Sequence, residues 1–269
     1  MSDLIKAAIL GLVEGVTEFL PISSTGHLII VNDFVGFGGD FAATFNVLIQ
    51  LGAILAVVAY FWRRLIPFGA GKASAEKNAV RDLWIKAAIG VMPVFLIGAF
   101  AANYIKEKLF NHMVVSIALI VGGVVLVAVE RRRGAEARIR SIADLGYRTA
   151  FFIGLIQCAA MVPGVSRSAA TIIGAMLLGA SRVVAAEFSF FLAIPTMFAA
   201  SAYMLYKHGF VLSGGEASAL AVGFVVSFVV ALAVIAGFMR FIGTRDFRPF
   251  GYYRIALGAA VIAYYYFTA

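Results

Sequence analysis

Residues 11–30 read GLVEGVTEFLPISSTGHLII. They place two glutamates, a run of hydroxyl residues and a histidine in a chain whose mean hydropathy is +0.97. Ionisable side chains are costly in apolar surroundings, so within a membrane segment they indicate a functional site. A second polar insert, PGVSRS at residues 163–168, interrupts the second half of the chain. Together the two inserts predict a site that handles phosphate groups.

The composition indicates the class of protein. Hydrophobic residues make up 62% of the 269 positions and charged residues 13%, which is too apolar for a soluble domain with a polar surface. A membrane-spanning helix needs about 17–25 predominantly apolar residues. Five nearly uninterrupted apolar runs reach that length, at residues 42–62, 87–105, 113–129, 188–206 and 217–239, and a sixth, shorter run covers 255–269. We therefore expect a polytopic membrane protein.

The basic residues behind the net charge of +8 are concentrated in three segments, 63–86, 130–148 and 240–254, the last of which includes Arg254. The loops between these segments hold few basic residues. This alternation is the positive-inside pattern, which places the three rich segments in the cytoplasm. The charges are thus accounted for by topology and by contact with membrane lipids, and we expect no nucleic-acid partner.

Each apolar run can be given a crossing direction that keeps the basic segments in the cytoplasm. Two segments, 1–40 and 147–186, must then begin and end on the same side of the membrane. Each is interrupted by proline, at Pro21 and at Pro163, and irregular backbone at membrane depth is tolerated only where protein or a water cavity surrounds it. The sequence therefore predicts an all-α polytopic membrane protein with six transmembrane helices plus two re-entrant helical elements, in one integral membrane domain over 1–269.

The two halves of the chain, about 1–130 and 147–269, resemble each other with opposite orientation. GLVE at 11–14 matches GLIQ at 154–157, and a proline and a serine-rich turn follow each. His27 precedes Asn46 by 19 positions, as Ser168 precedes Glu187. Such inverted-topology repeats place a binding site near the membrane midplane, where the broken elements meet.

Glu14 and Glu18 are four residues apart and share one face of a helix. Two carboxylates held together in a poorly hydrated site repel each other unless a cation lies between them. A hard divalent cation such as Mg²⁺ binds carboxylate and phosphate oxygens and would resolve the repulsion. The alternative is a carboxylate pair that lines a proton or sodium path.

The turn after Pro21 carries hydroxyl groups, a permissive glycine backbone and an imidazole, in the order Ser23, Ser24, Thr25, Gly26 and His27. Exposed amides in such a turn form an anion-binding nest. A serine becomes a nucleophile when a base takes its proton, and His27 is close enough in sequence to serve Ser24. Alternatively, His27 simply hydrogen-bonds a neighbouring helix.

Arg167 is the basic residue of the second insert, and Ser166, Ser168 and Thr171 surround it with further donors. Arginine binds phosphate through a planar fork of N–H groups. The alternative is structural, because Arg167 could instead pair with a glutamate at position 14, 18 or 187 and so bridge the halves. Glu187 is a weaker candidate for the site, since it could merely cap the apolar span that begins there.

The strings E-G-x-T-E-F-L-P-x-S-S-T-G-H at 14–27 and P-G-x-S-R-S-x-x-T at 163–171 resemble the two signatures of the undecaprenyl-diphosphate phosphatase family of the bacitracin-resistance type. The resemblance covers essentially the whole chain. It implies a bacterial inner-membrane enzyme that hydrolyses the C55 polyprenyl diphosphate to undecaprenyl phosphate and inorganic phosphate. The product is the lipid carrier of peptidoglycan synthesis, and its recycling confers bacitracin resistance.

The resemblance also implies six spanning helices with two re-entrant elements, a homodimer in many members, and a requirement for a divalent cation, Mg²⁺ or Ca²⁺. Functional positions carry over to Glu14 and Glu18 as metal-binding acids, with Glu18 also catalytic, and to Ser24, His27 and Arg167. Ser166 and Thr171 carry over as supporting donors. One departure is Asn46, where many members have an acid, so a metal role at this position is not carried over.

The expected reaction is an attack on the terminal phosphorus by Ser24, activated by His27, or by a water that His27 activates directly. Charge neutralisation by the cation and Arg167 stabilises the transition state. The lipid tail lies against the outer helix surfaces, and the cavity opens toward the periplasmic side. The competing class is a transporter such as a lipid-phosphate flippase, because inverted repeats and broken helices also build secondary carriers.

Overall fold

The computed structural model describes residues 1–39, 41–68, 72–132, 137–209 and 212–268. Ala269, the last residue of the predicted sixth span, lies outside these ranges. The described residues contain helices and no β-strand; Ile139 and Ala180 form one isolated parallel bridge. The expected all-α class is confirmed.

The described helices follow one another in two similar series. The first series is α1 (Asp3–Thr17), α2 (Ser24–Val35), α3 (Phe41–Tyr60), the single turn α4 (Trp62–Leu65), α5 (Ser74–Leu109) and α6 (His112–Arg132). The second series is α7 (Tyr147–Gln157), a short 3-10 helix (Cys158–Met161), α8 (Arg167–Leu177), α9 (Arg182–His208), α10 (Gly214–Thr244) and α11 (Arg248–Thr268).

Five of the described helices are long and apolar enough to cross a membrane: α3, the Ser74–Ala101 part of α5, α6, α9 and α10, with mean hydropathies from 1.8 to 2.8. α6, α9 and α10 contain the predicted runs 113–129, 188–206 and 217–239, whereas the runs 42–62 and 87–105 extend a few residues beyond α3 and beyond Ala101. The chain therefore has the character of a multi-pass membrane protein. The predicted sixth span lies within α11, which does not belong to this set. The arrangement of six spans with two re-entrant elements stays a prediction.

The two predicted breaks are present, and they share an unusual backbone. α1 ends ahead of Pro21, because proline donates no backbone hydrogen bond and disfavours helix in the residue before it. Ser23 and Ser166 cap α2 and α8 with φ angles of 74° and 73°. Their hydroxyls accept hydrogen bonds from the amides three residues on, at 3.3 and 3.2 Å. A positive φ is rare outside glycine, and such strain is concentrated at functional sites.

The two capping serines fix how the halves correspond. Ser23 and Ser166 are 143 positions apart, as are Glu14 and Gln157. The shared 19-residue spacing from His27 and from Ser168 follows a different register, with an offset of 141, because on the serine register Ser168 corresponds to Thr25. The residues of the two turns are similar in type, so spacing alone does not determine which pairs are equivalent.

Two glycine crossings hold the broken helices against the long helices of the opposite half. α1 packs along α10 with Gly11 against the backbone of Gly223, and α7 packs along α5 with Gly154 against that of Gly90. A Cβ atom on Gly11 or Gly154 would overlap the facing carbonyl oxygen. These crossings therefore require glycine, and they fix how closely the broken helices approach the long helices.

Replacing Gly154 with alanine should lower the melting temperature in detergent, because the added methyl meets rigid backbone. The expected loss is about 1–3 kcal/mol, as for other overpacked sites. Gly98→Ala is the matched control, since it lies in α5 with no atom within 4 Å of the position that a Cβ would take, and it should leave the melting temperature unchanged or raise it. Equal melting temperatures for the two variants would contradict the crossing.

Candidate active site

A cavity of about 190 Å³ lies where the two breaks meet α3, α5 and α9. Its polar lining comes from both halves of the chain and consists of Glu18, Ser23, Ser24, Thr25, Gln50, Gln157, Ser166, Arg167 and Thr196. Val94, Met161 and Met197 contribute apolar walls. The two inserts that the sequence singled out are thus brought to one place.

At this cavity, Glu18 is hydrogen-bonded to side chains of both polar inserts. The hydroxyl of Ser24 donates a hydrogen bond to Oε2, and Nη2 of Arg167 donates to Oε1 at 3.0 Å. The other terminal nitrogen of Arg167 donates to the carbonyl of Ser189 at 2.9 Å. Of the three glutamates proposed as partners for Arg167, the structure selects Glu18. One carboxylate therefore binds the hydroxyl of the first break and the guanidinium of the second.

One nitrogen of the Arg167 guanidinium makes no hydrogen bond. Its Nε is buried and has no hydrogen-bond partner among the described residues. Buried polar atoms in folded proteins are nearly always satisfied, so an orphaned N–H beside a cavity is suited to a ligand oxygen. A phosphate oxygen matches this donor in charge and geometry.

The remaining donors of the second insert divide into two groups. Ser166 lines the cavity, and its hydroxyl is 3.0 Å from that of Ser168. Ser168 donates to the carbonyl of Leu20 at 2.8 Å, and Thr171 bonds the hydroxyl of Ser189 at 2.6 Å. Both side chains are fully buried and lie off the cavity wall. Ser168 and Thr171 are thus engaged in packing contacts, whereas Ser166 and Arg167 are the polar side chains of this insert that line the cavity.

In the first insert, Ser23 and Thr25 line the cavity with Ser24. The amide of Gly26, however, is already used in the cap, where it donates to the Ser23 hydroxyl. Gly26 lies off the cavity wall.

His27 is engaged elsewhere. Its Nδ1 lies 2.7 Å from the carbonyl of Ser23 and must donate to it, so Nε2 is the acceptor for the hydroxyl of Tyr253, also at 2.7 Å. The imidazole stacks on the Tyr253 ring with an interplanar angle of 4°. The predicted pairing of His27 with Ser24 is not formed here. The contact observed is the alternative one, a hydrogen bond to a neighbouring helix.

Buried polar atoms of three further side chains make no geometrically defined hydrogen bond among the described residues. They are Glu14, through both carboxylate oxygens, Gln157, through its whole amide, and Asn46, through its carbonyl oxygen. Glu14 is fully buried beside Glu18, close enough for a hydrogen bond between the two carboxyl groups when one of them is protonated, and it lies within electrostatic reach of Arg167. Over the described residues no cluster of three or more His, Cys, Asp or Glu side chains is found. Any cation here would rest on two carboxylates, with amide oxygens as the remaining protein donors.

Glu187 does not belong to the cavity. Arg64 forms a bidentate ion pair with Glu187, in which its two terminal nitrogens donate to the two carboxylate oxygens at 2.5 and 3.0 Å. The sequence did not predict this pair. Arg254 also differs from its predicted place in a basic loop segment, because it lies within α11, is fully buried, and donates to the carbonyls of Pro21 and Gly164. No local signal distinguishes it from the exposed arginines near it in sequence.

Comparison with known proteins shows which family the chain matches. Residues 7–260 match the family described as bacitracin resistance protein BacA. The chain is 49% identical to undecaprenyl-diphosphatase 1 of Clostridioides difficile, over 98% of this chain and 97% of that protein. It is also 49% identical to the undecaprenyl-diphosphatase of Limosilactobacillus fermentum, over 98% of each chain. On the strength of a match that spans nearly its whole length, this chain belongs to the BacA bacitracin resistance family.

Proposed function

We propose that this chain is an undecaprenyl-diphosphatase, which hydrolyses undecaprenyl diphosphate to undecaprenyl phosphate and inorganic phosphate. The relatives that it resembles over nearly their full length carry that name. The observation that carries the proposal is the shared carboxylate of Glu18, which holds a hydroxyl nucleophile and a phosphate-binding arginine at one cavity. The reaction returns the lipid carrier to peptidoglycan synthesis and underlies bacitracin resistance.

The cavity volume is that of a headgroup-sized site and is small for a whole polyprenyl lipid. Ligand pockets for whole drug-sized molecules measure about 300–1,000 Å³, whereas this cavity is about 190 Å³. The diphosphate therefore enters, and the polyprenyl chain lies along the apolar outer surface. The guanidinium of Arg167 neutralises the phosphates, and its free Nε donates to one of their oxygens.

Ser24 is the nucleophile of the proposed reaction. Its Oγ attacks the terminal phosphorus while its proton passes to Oε2 of Glu18, along the hydrogen bond already present. The anhydride P–O bond breaks, and undecaprenyl phosphate leaves. Glu18 passes the serine proton to the departing phosphate oxygen and is ionised again. Water then attacks the phosphoserine and gives a proton to Glu18, the Ser24 Oγ–P bond breaks, and Ser24 recovers its proton from Glu18 as inorganic phosphate is released. Arg167 stabilises the charge on the transferred group throughout.

His27 acts in this scheme as a positioning residue. By donating to the Ser23 carbonyl and accepting from Tyr253, it fixes the strained turn from which the Ser24 hydroxyl projects. Ser23, Thr25 and Ser166 complete the polar wall around the phosphates.

The buried oxygens fit a divalent cation, Mg²⁺ or Ca²⁺, with Glu14 and Glu18 as the residues that would hold it. Hard cations prefer carboxylate and carbonyl oxygens, and the two orphaned oxygens of Glu14 are of this type. When bound, the cation supplies positive charge that offsets the diphosphate.

We further propose six spanning helices and two re-entrant elements, arranged as inverted repeats over 1–130 and 147–269. α1 and α2 have 15 and 12 residues, and α7 and α8 have 11 each, so none reaches the length of a span. The cavity then opens to the outer face of the bacterial inner membrane. The homodimer stays a prediction of the resemblance.

The proposed activity is tested by phosphate release from undecaprenyl diphosphate by the detergent-solubilised protein. Wild type should release phosphate, whereas a flippase would release none without a membrane. Ser24→Ala and Glu18→Gln should each lower kcat by about 10³-fold. The double variant should be little worse than either single one, because nucleophile and base act as a unit.

Ser218→Ala is the matched control, since this exposed serine donates to a carbonyl of its own helix far from the cavity, and it should retain full activity. Additive losses in the double variant, or near-normal turnover by Ser24→Ala, would contradict the assigned roles.

Glu14 offers a test of the cation that does not depend on turnover. Calorimetric titration of metal-stripped protein with Mg²⁺ or Ca²⁺ should show binding to wild type, and Glu14→Gln should bind at least about tenfold more weakly. Chelator should abolish phosphate release by wild type. Unchanged titration curves for Glu14→Gln would remove this residue from the cation site.

A further inference from the structure

Arg254 is an arginine buried without a carboxylate. Its side chain is fully buried in α11, and no described acid pairs with it. All of its hydrogen bonds go to backbone carbonyls. Nη1 donates to Pro21 at 3.2 Å and Nη2 to Gly164 at 3.0 Å, while Ala118 and Leu119 of α6 accept at 3.1 and 3.3 Å.

The carbonyls of Pro21 and Gly164 lie in the two breaks, where the helical hydrogen-bond ladder is absent. A buried carbonyl without a partner is costly, and so is a buried guanidinium that is not fully hydrogen-bonded. The Arg254 guanidinium and the two carbonyls therefore satisfy each other's need for a hydrogen bond. Pro21 and Gly164 are 143 positions apart, the same separation as Ser23 and Ser166, so one guanidinium binds equivalent carbonyls of both repeats.

Both carbonyls lie close in sequence to side chains of the proposed active site. Pro21 precedes Ser24 by three residues, and Gly164 precedes Arg167 by three. Ser24 and Arg167 are the two side chains that meet at Glu18. Because the guanidinium is planar and rigid, it fixes the separation of the two breaks, and with it the separation of the two groups that act on phosphate.

We propose that Arg254 is a positioning residue that holds the two breaks in register at Glu18. This inference rests on the proposed function for its effect on turnover. Arg254 lies off the cavity wall and acts on the reaction only through the backbone. Its neighbour Tyr253 reinforces the first break by its bond to His27.

Gly122 of α6 provides an independent way to disturb this contact. A Cβ atom on Gly122 would overlap Nη2 and Cζ of Arg254, so Gly122→Ala forces the guanidinium to move while leaving Arg254 in the chain. Gly258→Ala is the matched control. Its Cβ would meet the carbonyl of Ser116 and Cγ1 of Ile120 at 2.7 Å and Cβ of Leu119 at 3.2 Å in the same helix pair. It therefore disturbs the packing of α6 and α11 without meeting the Arg254 guanidinium.

The experiment compares Arg254→Gln, Arg254→Lys, Gly122→Ala and Gly258→Ala as full-length proteins in detergent. The readouts are melting temperature, kcat and KM for undecaprenyl diphosphate, and backbone hydrogen exchange over residues 18–24 and 161–167. Arg254→Gln and Gly122→Ala should lower kcat by about 100-fold with little change in KM, since small misplacements of reacting groups cost that much. Exchange should accelerate in both breaks together. Arg254→Lys should be similarly impaired, because it lacks the planar fork.

Gly258→Ala should keep its kcat and its exchange rates in both breaks, even where its melting temperature falls as far as that of the Arg254 variants. If Arg254→Gln does not fold, Gly122→Ala decides the matter. A folded variant with near-normal kcat, or with exchange accelerated in one break only, would overturn the inference. If wild type releases no phosphate, the proposed function fails, and the exchange data still decide whether Arg254 joins the breaks.

Discussion

The carboxylate of Glu18 is the interaction on which the site depends, because it is bound at once by Ser24 of the first break and Arg167 of the second. A buried charge is tolerated only when it is paired and hydrogen-bonded, and removing one partner leaves the other uncompensated. The two breaks are thereby tied together in the resting protein. In the proposed reaction an entering phosphate would compete for the same guanidinium, so substrate binding and the release of Glu18 to act as a base would be parts of one exchange.

The rest of the fold supplies the conditions for that contact. Glycines at the crossings, such as Gly11 and Gly154, let the broken helices approach the long helices of the opposite half at backbone distance. The breaks then expose carbonyls and amides that a continuous helix would satisfy internally. Arg254 binds the carbonyls, and the serine caps bind the amides. These contacts on either side of Ser23 and Ser166 stabilise the strained backbone of the two serines.

Local chemistry made part of this predictable from the sequence. Apolar length located the five long helices, and proline located the breaks. The residue types singled out Glu18, Ser24 and Arg167, which the structure brings into contact. The errors concern partners distant in sequence. His27 pairs with Tyr253, 226 positions away, and Arg254 with backbone at both breaks, and neither contact has a periodic or compositional signal. An arginine in a basic segment has the same sequence signature whether it is exposed at a membrane surface or buried.

The most direct test of the account is the rate at which Ser24 becomes phosphorylated in acid-quenched single turnovers, with label on the terminal phosphate of undecaprenyl diphosphate. Wild type should carry the label on Ser24. Glu18→Gln should slow its appearance by about 10³-fold, the size of a lost general base, whereas His27→Gln, which can preserve hydrogen bonds to both of its partners, should be far less impaired. Absence of label from Ser24, or equal slowing by the two substitutions, would contradict the assignment of Glu18 as the base.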